Sequence, residues 1–301
     1  GMGTSFISPL IIRPLLASKG ITSFMFEAGE FLHYGLGTVR SKDLIVLISQ
    51  SGESIETCRI AEEMKGLCPI IAIVNDEEST LAGYGDLVLP MTAGEEASIT
   101  TKTYTNTLGL LNIMGVTAVS GNLEKEMESL IESSFHMDDF LENRSDEIKA
   151  AEEHLKNASA LHFLTRGPAL AGAFQGALTF MEGAHLTAVA MPCGSFRHGP
   201  IELIGKGHRA IVYVPSSETR GLVVRMISEM AERGSHIVAF SSGSMEIDDP
   251  NIVEISFPEV DDRHLPISAA TAQELLLDRI ASRRGLKCGV FKHTSKVTKI
   301  E

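Results

Sequence analysis

Two short apolar runs flank an amphipathic stretch in the first third of the chain. The run Leu44–Ile48 (LIVLI) is followed by the polar loop Ser49–Ser54, and Ile55–Lys65 then has apolar residues at helical spacing. A second run, Pro69–Val74 (PIIAIV), completes the pattern. Continuous apolar runs suit strands that are covered on both faces, and strand–helix–strand units favour a parallel sheet with right-handed crossovers.

The same pattern recurs in the second half of the chain. Ala210–Val214 (AIVYV) precedes the polar loop Pro215–Thr219 (PSSET), a helical stretch runs to about Arg233, and His236–Phe240 (HIVAF) follows. From the second serine of each loop to the next apolar run is 18 residues in the first unit and 19 in the second. We interpret the two units as copies of one α/β unit.

A glycine-containing turn precedes each unit. The turn Gly1–Ser5 (GMGTS) lies 46 residues before the first polar loop, counted from its second glycine, and Arg166–Gly167 lies about as far before the second loop. Between the copies, Asn122–Lys156 predicts one or two amphipathic connecting helices. These patterns predict an α/β protein with two domains, residues 1–135 and 136–301. No strand precedes the first turn, so we expect either that an N-terminal segment is missing or that Gly1 is a cloning remnant.

The composition narrows the classes of partner. The chain has 301 residues, 44% of them hydrophobic, and a net charge of −13. This charge argues against nucleic acid or an anionic membrane as a partner, because both require dense positive charge. The four cysteines form no CxxC pair, no Cys/His cluster has zinc-ligand spacing, and no signal peptide or membrane-spanning run is evident. We therefore expect a cytoplasmic protein with reduced thiols and no bound metal.

The loop Ser49–Ser54 (SQSGES) is the strongest candidate for ligand binding. It lies between a strand and a helix, where the helix start supplies unpaired N–H groups, and its hydroxyls and amide can donate further hydrogen bonds. Three serines, a glutamine and a glycine within six residues exceed what an ordinary serine N-cap needs. The second loop has a proline and a glutamate instead of the glycine, and these remove a donor and add negative charge. We predict one phosphate site, in the first copy.

Seven separate segments of the chain carry a family resemblance. They are GMGTS, SQSGES, EASITTK (Glu96–Lys102), FLTRG (Phe163–Gly167), ALTFMEGAH (Ala177–His185), FRHGPIELI (Phe196–Ile204) and KVTKIE (Lys296–Glu301). These segments resemble the isomerase part of glucosamine-6-phosphate synthase and its relatives, the fructosamine-6-phosphate deglycases and glucosamine-6-phosphate deaminases, so the chain is identified as similar to the sugar-isomerase (SIS) family. This resemblance implies two tandem SIS domains, each a parallel sheet flanked by helices in a three-layer α/β/α, flavodoxin-like arrangement.

The resemblance also assigns roles to individual residues. Glu182 would move a proton between C1 and C2 of the sugar, His198 would open the sugar ring from the neighbouring subunit, Lys296 would sit at the sugar carbonyl and Arg166 would support developing negative charge. These roles match the chemistry of the residue types, because a buried carboxylate, a histidine and a lysine amine suit proton transfer, ring opening and carbonyl capture. The remaining site residues would bind the phosphate (Ser5, Ser49, Gln50, Ser51, Ser54) or the sugar (Gly3, Thr4, Thr100).

Two departures from the family pattern bear on the substrate. Met2 replaces the cysteine of the family's GCGTS turn, and the tail has Gly289-Val-Phe-Lys where the family has Asp-x-Pro before the lysine. No glutaminase domain or N-terminal cysteine nucleophile is present in these residues. We expect an enzyme that isomerises, deaminates or deglycates an amino-sugar or ketosamine 6-phosphate. A non-catalytic sugar-phosphate regulator and a plain aldose–ketose phosphate isomerase remain as alternatives.

The expected partners follow from these roles. The trans role of His198 implies a homodimer, and the ligand is a small sugar phosphate rather than nucleic acid or membrane. Proton transfer and imine chemistry require no metal or organic cofactor, so none is expected.

Overall fold

The computed structural model describes residues 1–293 of the chain. The contacts divide it into two compact units. Gly1–Pro9 and Ile21–Leu111, with the described residues from Phe291 onward, form the first unit; Leu10–Gly20 and Asn112–Val290 form the second. The predicted domain ranges 1–135 and 136–301 remain a prediction, because contact clusters and the ranges of evolutionary domains are different properties.

The described residues form eight strands and twelve α-helices. The strands are β1 (Ile45–Ser49), β2 (Ile70–Val74), β3 (Leu87–Pro90), β4 (Ala160–Thr165), β5 (Thr187–Pro192), β6 (Arg209–Val214), β7 (His236–Ser242) and β8 (Ile252–Phe257). The helices are α1 (Gly3–Ile7), α2 (Arg13–Ser18), α3 (Ala28–Glu30), α4 (Ile55–Met64), α5 (Lys102–Ala118), α6 (Leu123–Asn143), α7 (Ser145–His154), α8 (Leu170–Ala184), α9 (Cys193–Arg197), α10 (Arg220–Glu232), α11 (Leu265–Ser268) and α12 (Ala270–Arg283). A π-helical turn spans Phe31–Gly35, and 3-10 turns span Ser8–Ile11, Leu36–Thr38, Ala82–Tyr84, Gly167–Ala169 and Pro200–Leu203.

The first unit is built on a three-stranded parallel sheet in the order β1-β2-β3. Ile45 pairs with Ile70 and Ile71 with Leu87, so both apolar runs lie side by side in the sheet. The helix α4 connects β1 to β2 and buries Ile60, Ala61 and Met64 in a core that it shares with the strands. This confirms the predicted strand–helix–strand unit.

The second unit is built on a five-stranded parallel sheet in the order β5-β4-β6-β7-β8. Successive residues of its central strands enter different hydrophobic clusters. Phe163 and Ile211 belong to one cluster, which includes residues of α8 and α12, whereas Leu164 and Val212 belong to the other, which includes residues of α10. Both faces of the sheet are therefore covered by helices, which explains the continuous apolar runs in the sequence. The predicted α/β class with parallel sheets flanked by helices is confirmed.

The acidic stretch that lies in sequence between β3 and β4 forms two helices, α6 and α7, as the periodicity predicted. Asn122 caps the first of them, because its side-chain oxygen accepts a hydrogen bond from the Lys125 N–H at 3.0 Å. On the inner face of α6, the Glu126 carboxylate accepts hydrogen bonds from Arg263 at 3.0 Å and His264 at 2.7 Å. These contacts anchor the helix within the second unit.

Candidate active site

The loop Ser49–Ser54 turns sharply between β1 and α4. The N–H of Gly52 donates to the backbone oxygen of Ser49 at 3.2 Å and to its Oγ at 3.1 Å. Gly52 has φ +65°, a left-handed conformation, and a Cβ at this position would lie 2.0 Å from Ser79 Oγ. The tight turn therefore requires glycine at this position.

The hydroxyls of Ser49 and Ser54 converge at the start of α4, with their Oγ atoms 3.2 Å apart. Ser54 occupies the N-cap position of α4, but its side chain makes no capping hydrogen bond. Within residues 1–293, the N–H groups of the first helical turn, residues 55–57, have no hydrogen-bond acceptor. A ten-residue helix thus presents free donors and two hydroxyls at its positive end, which is the arrangement that binds a phosphate dianion.

Two other parts of the loop are held by neighbouring residues. Gln50 accepts a hydrogen bond from the Asn75 N–H through its backbone oxygen, and Ser51 Oγ accepts one from the Glu53 N–H at 3.2 Å. The Glu53 carboxylate accepts hydrogen bonds from the N–H of Thr80 at 2.7 Å and from its hydroxyl at 2.9 Å. The one acidic side chain of the motif is therefore engaged in fixing the loop.

The N-terminal turn lies beside the same strand end. A Cβ placed on Gly1 would lie 2.7 Å from Ser5 Cβ and 2.8 Å from the backbone oxygen of Ile48, the residue before the loop. Gly3, Thr4 and Ser5 form the first residues of α1. The structure therefore brings the predicted turn residues next to the carboxyl end of β1, where the phosphate loop begins.

Thr100 lies in a segment that a buried carboxylate organises. Glu96 Oε1 accepts hydrogen bonds from the Thr101 N–H at 3.0 Å and the Lys102 N–H at 2.9 Å, while Oε2 accepts from the N–H and hydroxyl of Thr103. Glu96 thereby caps α5 and fixes the loop that carries Thr100. The segment was recognised from the sequence, but the role of Glu96 was not predicted. The signal for it is a carboxylate that lies a few residues before the Thr-Thr-Lys start of a helix.

Glu182 belongs to the second unit and lies near the end of α8. Its side chain is partly buried, and burial raises the pKa of the carboxyl above its ordinary value. Within residues 1–293, this carboxylate makes no hydrogen bond or ion pair. A carboxyl whose pKa is raised by burial holds and returns a proton more readily than an exposed glutamate does.

Arg166 lies at the opposite end of α8 from Glu182. It follows β4 directly, and its guanidinium packs on the start of α9, where a Cβ on Gly194 would lie 3.6 Å from Nη2. Its Nε is buried and has no hydrogen-bond partner among the described residues. Glu182 lies twelve positions after Leu170 in the helix, which is about 18 Å of axial rise. Within one subunit, the structure therefore does not bring these two predicted residues together.

His198 is exposed and follows α9, with its backbone N–H donating to the Ser195 oxygen at 3.0 Å. Gly199 comes next with φ +128°, so the chain turns sharply after the histidine. Lys296, the predicted carbonyl-binding lysine, lies outside the described residues.

Of the described residues, none belongs to a group of three or more His, Cys, Asp or Glu side chains that could hold a metal ion. Over the same residues, every helix is too short or too polar to cross a membrane.

Comparisons with known proteins agree with the motifs. Residues 1–116 match the SIS domain family. The glutamine–fructose-6-phosphate aminotransferase (isomerizing) of Thermococcus kodakarensis is 29% identical over 296 residues, which cover 94% of this chain and 48% of that protein. The chain therefore spans about half the length of the curated relatives that it matches.

Solved structures agree with the fold. The C-terminal domain of glucosamine-fructose-6-phosphate aminotransferase from Francisella tularensis superposes with a TM-score of 0.86 at 22% identity, covering 95% of this chain and 84% of that one. Glucosamine-6-phosphate deaminase from Thermotoga maritima superposes with a TM-score of 0.81 at 21% identity, covering 99% and 88%. At these identities the likeness establishes the fold. The chain thus carries a SIS domain in residues 1–116, and it is homologous to a segment that makes up about half the length of the Thermococcus kodakarensis aminotransferase. The resemblance read from its motifs is confirmed.

Proposed function

We propose that the chain binds a sugar phosphate through the Ser49–Ser54 loop and acts at C1–C2 of an amino-sugar or ketosamine 6-phosphate. The reaction would be an isomerisation, a deamination or a deglycation. The observation that carries the proposal is the uncapped start of α4, where free N–H groups and the hydroxyls of Ser49 and Ser54 converge. Ser51, Gln50 and Ser5 complete the donor set for the phosphate.

The names of the similar proteins support this choice of substrate class. The curated relatives are called glutamine–fructose-6-phosphate aminotransferases, and one superposed structure is a glucosamine-6-phosphate deaminase. Both names describe proteins that act on a hexose 6-phosphate carrying, or gaining, an amine. A ligand of this kind presents a phosphate dianion to the loop and a carbonyl or amine to the chemical step.

Glu182 is the proposed base that moves a proton between C1 and C2. Burial raises the pKa of its carboxyl, so its conjugate acid can return the proton at a pH closer to neutrality than an exposed glutamate could. The acid limb of the pH–rate profile should therefore lie above the ordinary glutamate pKa of about 4.3. Thr100, held by the Glu96-capped segment, is the proposed contact to the sugar hydroxyls, and Gly3 and Thr4 approach the sugar from the N-terminal turn.

The other roles involve the tail and a second subunit. Lys296 would capture the open-chain carbonyl as an imine, which releases water and activates the adjacent C–H bond. His198 would open the sugar ring from the neighbouring subunit of a homodimer, and its exposed position is consistent with a role across an interface. Arg166 and Glu182 lie at opposite ends of one helix, so Arg166 would support the same intermediate only if it too came from the partner. The proposal does not depend on Arg166.

The test is amine release from glucosamine 6-phosphate and from fructosyl-amino-acid 6-phosphates, with the sugar product identified by NMR. We expect turnover in the unmodified chain and a loss of about 100-fold or more in Glu182→Gln, because that variant cannot accept the proton. Glu202→Gln removes an exposed carboxylate of the same unit and should turn over normally.

Other outcomes separate the alternatives. Interconversion of aldose and ketose phosphates without amine release, in a Lys296→Ala variant as well, would indicate a plain isomerase. Sugar-phosphate binding with no turnover of any of these compounds would indicate a regulator. Equal turnover in Glu182→Gln and Glu202→Gln would contradict the proposed proton transfer.

A further inference from the structure

The polar loop after β6 is the counterpart of the phosphate loop, and a carboxylate of the same chain occupies its donors. Asp262 Oδ1 accepts hydrogen bonds from the Ser216 N–H at 2.9 Å, the Ser217 N–H at 3.2 Å and, at 3.4 Å, the Ser216 hydroxyl. Asp262 is buried, with 8% of its surface exposed. Two backbone donors and one hydroxyl that converge on a single oxygen are the kind of contacts by which such loops hold a phosphate oxygen.

Asp262 lies at the edge of the sheet where α/β proteins bind their ligands. The strand order β5-β4-β6-β7-β8 reverses direction between β4 and β6, and α/β sheets bind ligands outside the carboxyl ends of the strands at such a reversal. Asp262 Oδ1 contacts the loop after β6, and its Oδ2 lies 4.0 Å from where a Cβ of Gly167, in the turn after β4, would be. Asp262 therefore lies between the turn and the loop that the sequence repeat pairs with Gly1–Ser5 and Ser49–Ser54.

The surroundings fix the carboxylate in this position. Ser216 Oγ also donates to the Val260 oxygen at 2.7 Å, and Val260 and Ser242 exchange hydrogen bonds, with the Val260 N–H donating at 2.9 Å. The guanidinium of Arg220 donates to the backbone oxygens of Pro215 and Ser242 and brings a positive charge to the edge of the loop. The segment after β8 and the loop after β6 thus form one hydrogen-bonded assembly.

We propose that Asp262 is a built-in anion that takes the place of a bound phosphate in the second copy of the repeat, so that the chain carries one phosphate site. The carboxylate uses the donors that a phosphate oxygen would use, and its tether removes the entropy cost of capturing a free anion. Its negative charge repels a second anion at the same place. The proposal shares only the first loop with the proposed function and needs no chemistry at Glu182.

The experiment removes the carboxylate and supplies inorganic phosphate as the probe. Asp262→Ala should lower Tm by about 4 °C in phosphate-free buffer, because it removes the buried carboxylate that accepts hydrogen bonds from the Ser216 and Ser217 N–H groups. Added phosphate should then raise its Tm by more than it raises that of the unmodified chain. Glu259→Ala removes an exposed carboxylate from the same segment and should respond to phosphate as the unmodified chain does.

Stoichiometry from equilibrium dialysis gives a second measurement. We expect one phosphate per chain for the unmodified protein and for Glu259→Ala, two for Asp262→Ala, and one for Asp262→Ala in a Ser51→Ala/Ser54→Ala background. The Ser51→Ala/Ser54→Ala variant alone should bind none; if it still binds one, the first loop is not the phosphate site and the proposed function fails separately.

Two results would overturn the proposal. The first is an Asp262→Ala variant that binds no more phosphate than Glu259→Ala and gains no extra stability from it. The second is an Asp262→Ala variant that fails to fold with and without phosphate while Asp262→Ser, whose hydroxyl can accept one N–H, folds without any response to phosphate. Folding of Asp262→Ala only in the presence of phosphate would support it.

Discussion

Gly52→Ala is the substitution that most specifically perturbs the phosphate loop. Alanine at φ +65° costs about 1 kcal/mol for the left-handed backbone. Its Cβ would also lie 2.0 Å from Ser79 Oγ and 2.3 Å from Ser79 Cβ. Ser79 cannot move aside easily, because it is buried and its hydroxyl and N–H both donate to the Asp76 oxygen. Relieving this collision should cost a further 1–3 kcal/mol or so, giving a total loss of about 3 kcal/mol in the free energy of unfolding.

Gly66→Ala is the matched control. Gly66 also has a left-handed φ of +77°, and it follows the end of α4, but a Cβ there meets nothing within 4 Å. It should lose only about 1 kcal/mol of stability and leave phosphate affinity unchanged. The chain has no tryptophan, so urea unfolding is best followed by circular dichroism, with phosphate affinity measured by calorimetry.

The decisive comparison is phosphate affinity in the two variants. We expect Gly52→Ala to weaken it at least tenfold, which corresponds to about 1.4 kcal/mol, because the loop must shift to accommodate the methyl group. Ser79→Gly should restore part of both stability and affinity when combined with Gly52→Ala, since it removes the atoms that collide. Equal stability and equal phosphate affinity in Gly52→Ala and Gly66→Ala would refute the reasoning.

Two further predictions concern the second unit. Burial, with a smaller contribution from His162, lowers the pKa of His208 from 6.5 to about 4. The unfolded chain therefore binds more protons than the folded chain between these pH values, and the free energy of unfolding should fall by up to about 3 kcal/mol as pH drops from 6.5 to 4. The fall should be smaller in His208→Gln. Burial alone would raise the pKa of Glu126, but hydrogen bonds from His264 and Arg263 reverse this and lower it. Glu126→Gln should thus cost about 3 kcal/mol at neutral pH in urea unfolding, and the difference should shrink as pH falls below 4.5; a pH-independent difference would contradict this account.

Much of the fold could be predicted because four of the strands, β1, β2, β6 and β7, contain continuous apolar segments of the sequence. The runs LIVLI, PIIAIV, AIVYV and HIVAF all correspond to strands, with ends within two residues of the prediction. The strand β3 ends in Pro90 and β8 includes Glu254 and Ser256, so neither gives a continuous apolar run. Both are edge strands, but β1 is an edge strand too, so the interrupted apolar pattern rather than the edge position explains why they were not predicted.

The candidate site was only partly predictable, because some of its residues are adjacent in sequence and others come together only in the folded chain. The phosphate loop is contiguous in sequence, so its serines and glycine could be recognised together. Asp262 reaches a loop 46 residues earlier in the chain, and no local pattern encodes that contact. Arg166 and Glu182 belong to two neighbouring segments that resemble the family, but only the direction and length of α8 show that one residue precedes this helix and the other lies near its end.

The most direct test of the central claim is exchange of carbon-bound hydrogen in D₂O. The chain would be incubated with fructose 6-phosphate and with glucosamine 6-phosphate, and deuterium at C1 of the ketose and C2 of the aldose followed by NMR. The account predicts deuterium incorporation at these carbons, lost in Glu182→Gln and weakened in Gly52→Ala through poorer binding of the phosphate. Sugar phosphate that binds to the Ser49–Ser54 loop without any exchange at C1 or C2 would contradict the claim that the chain acts on these carbons.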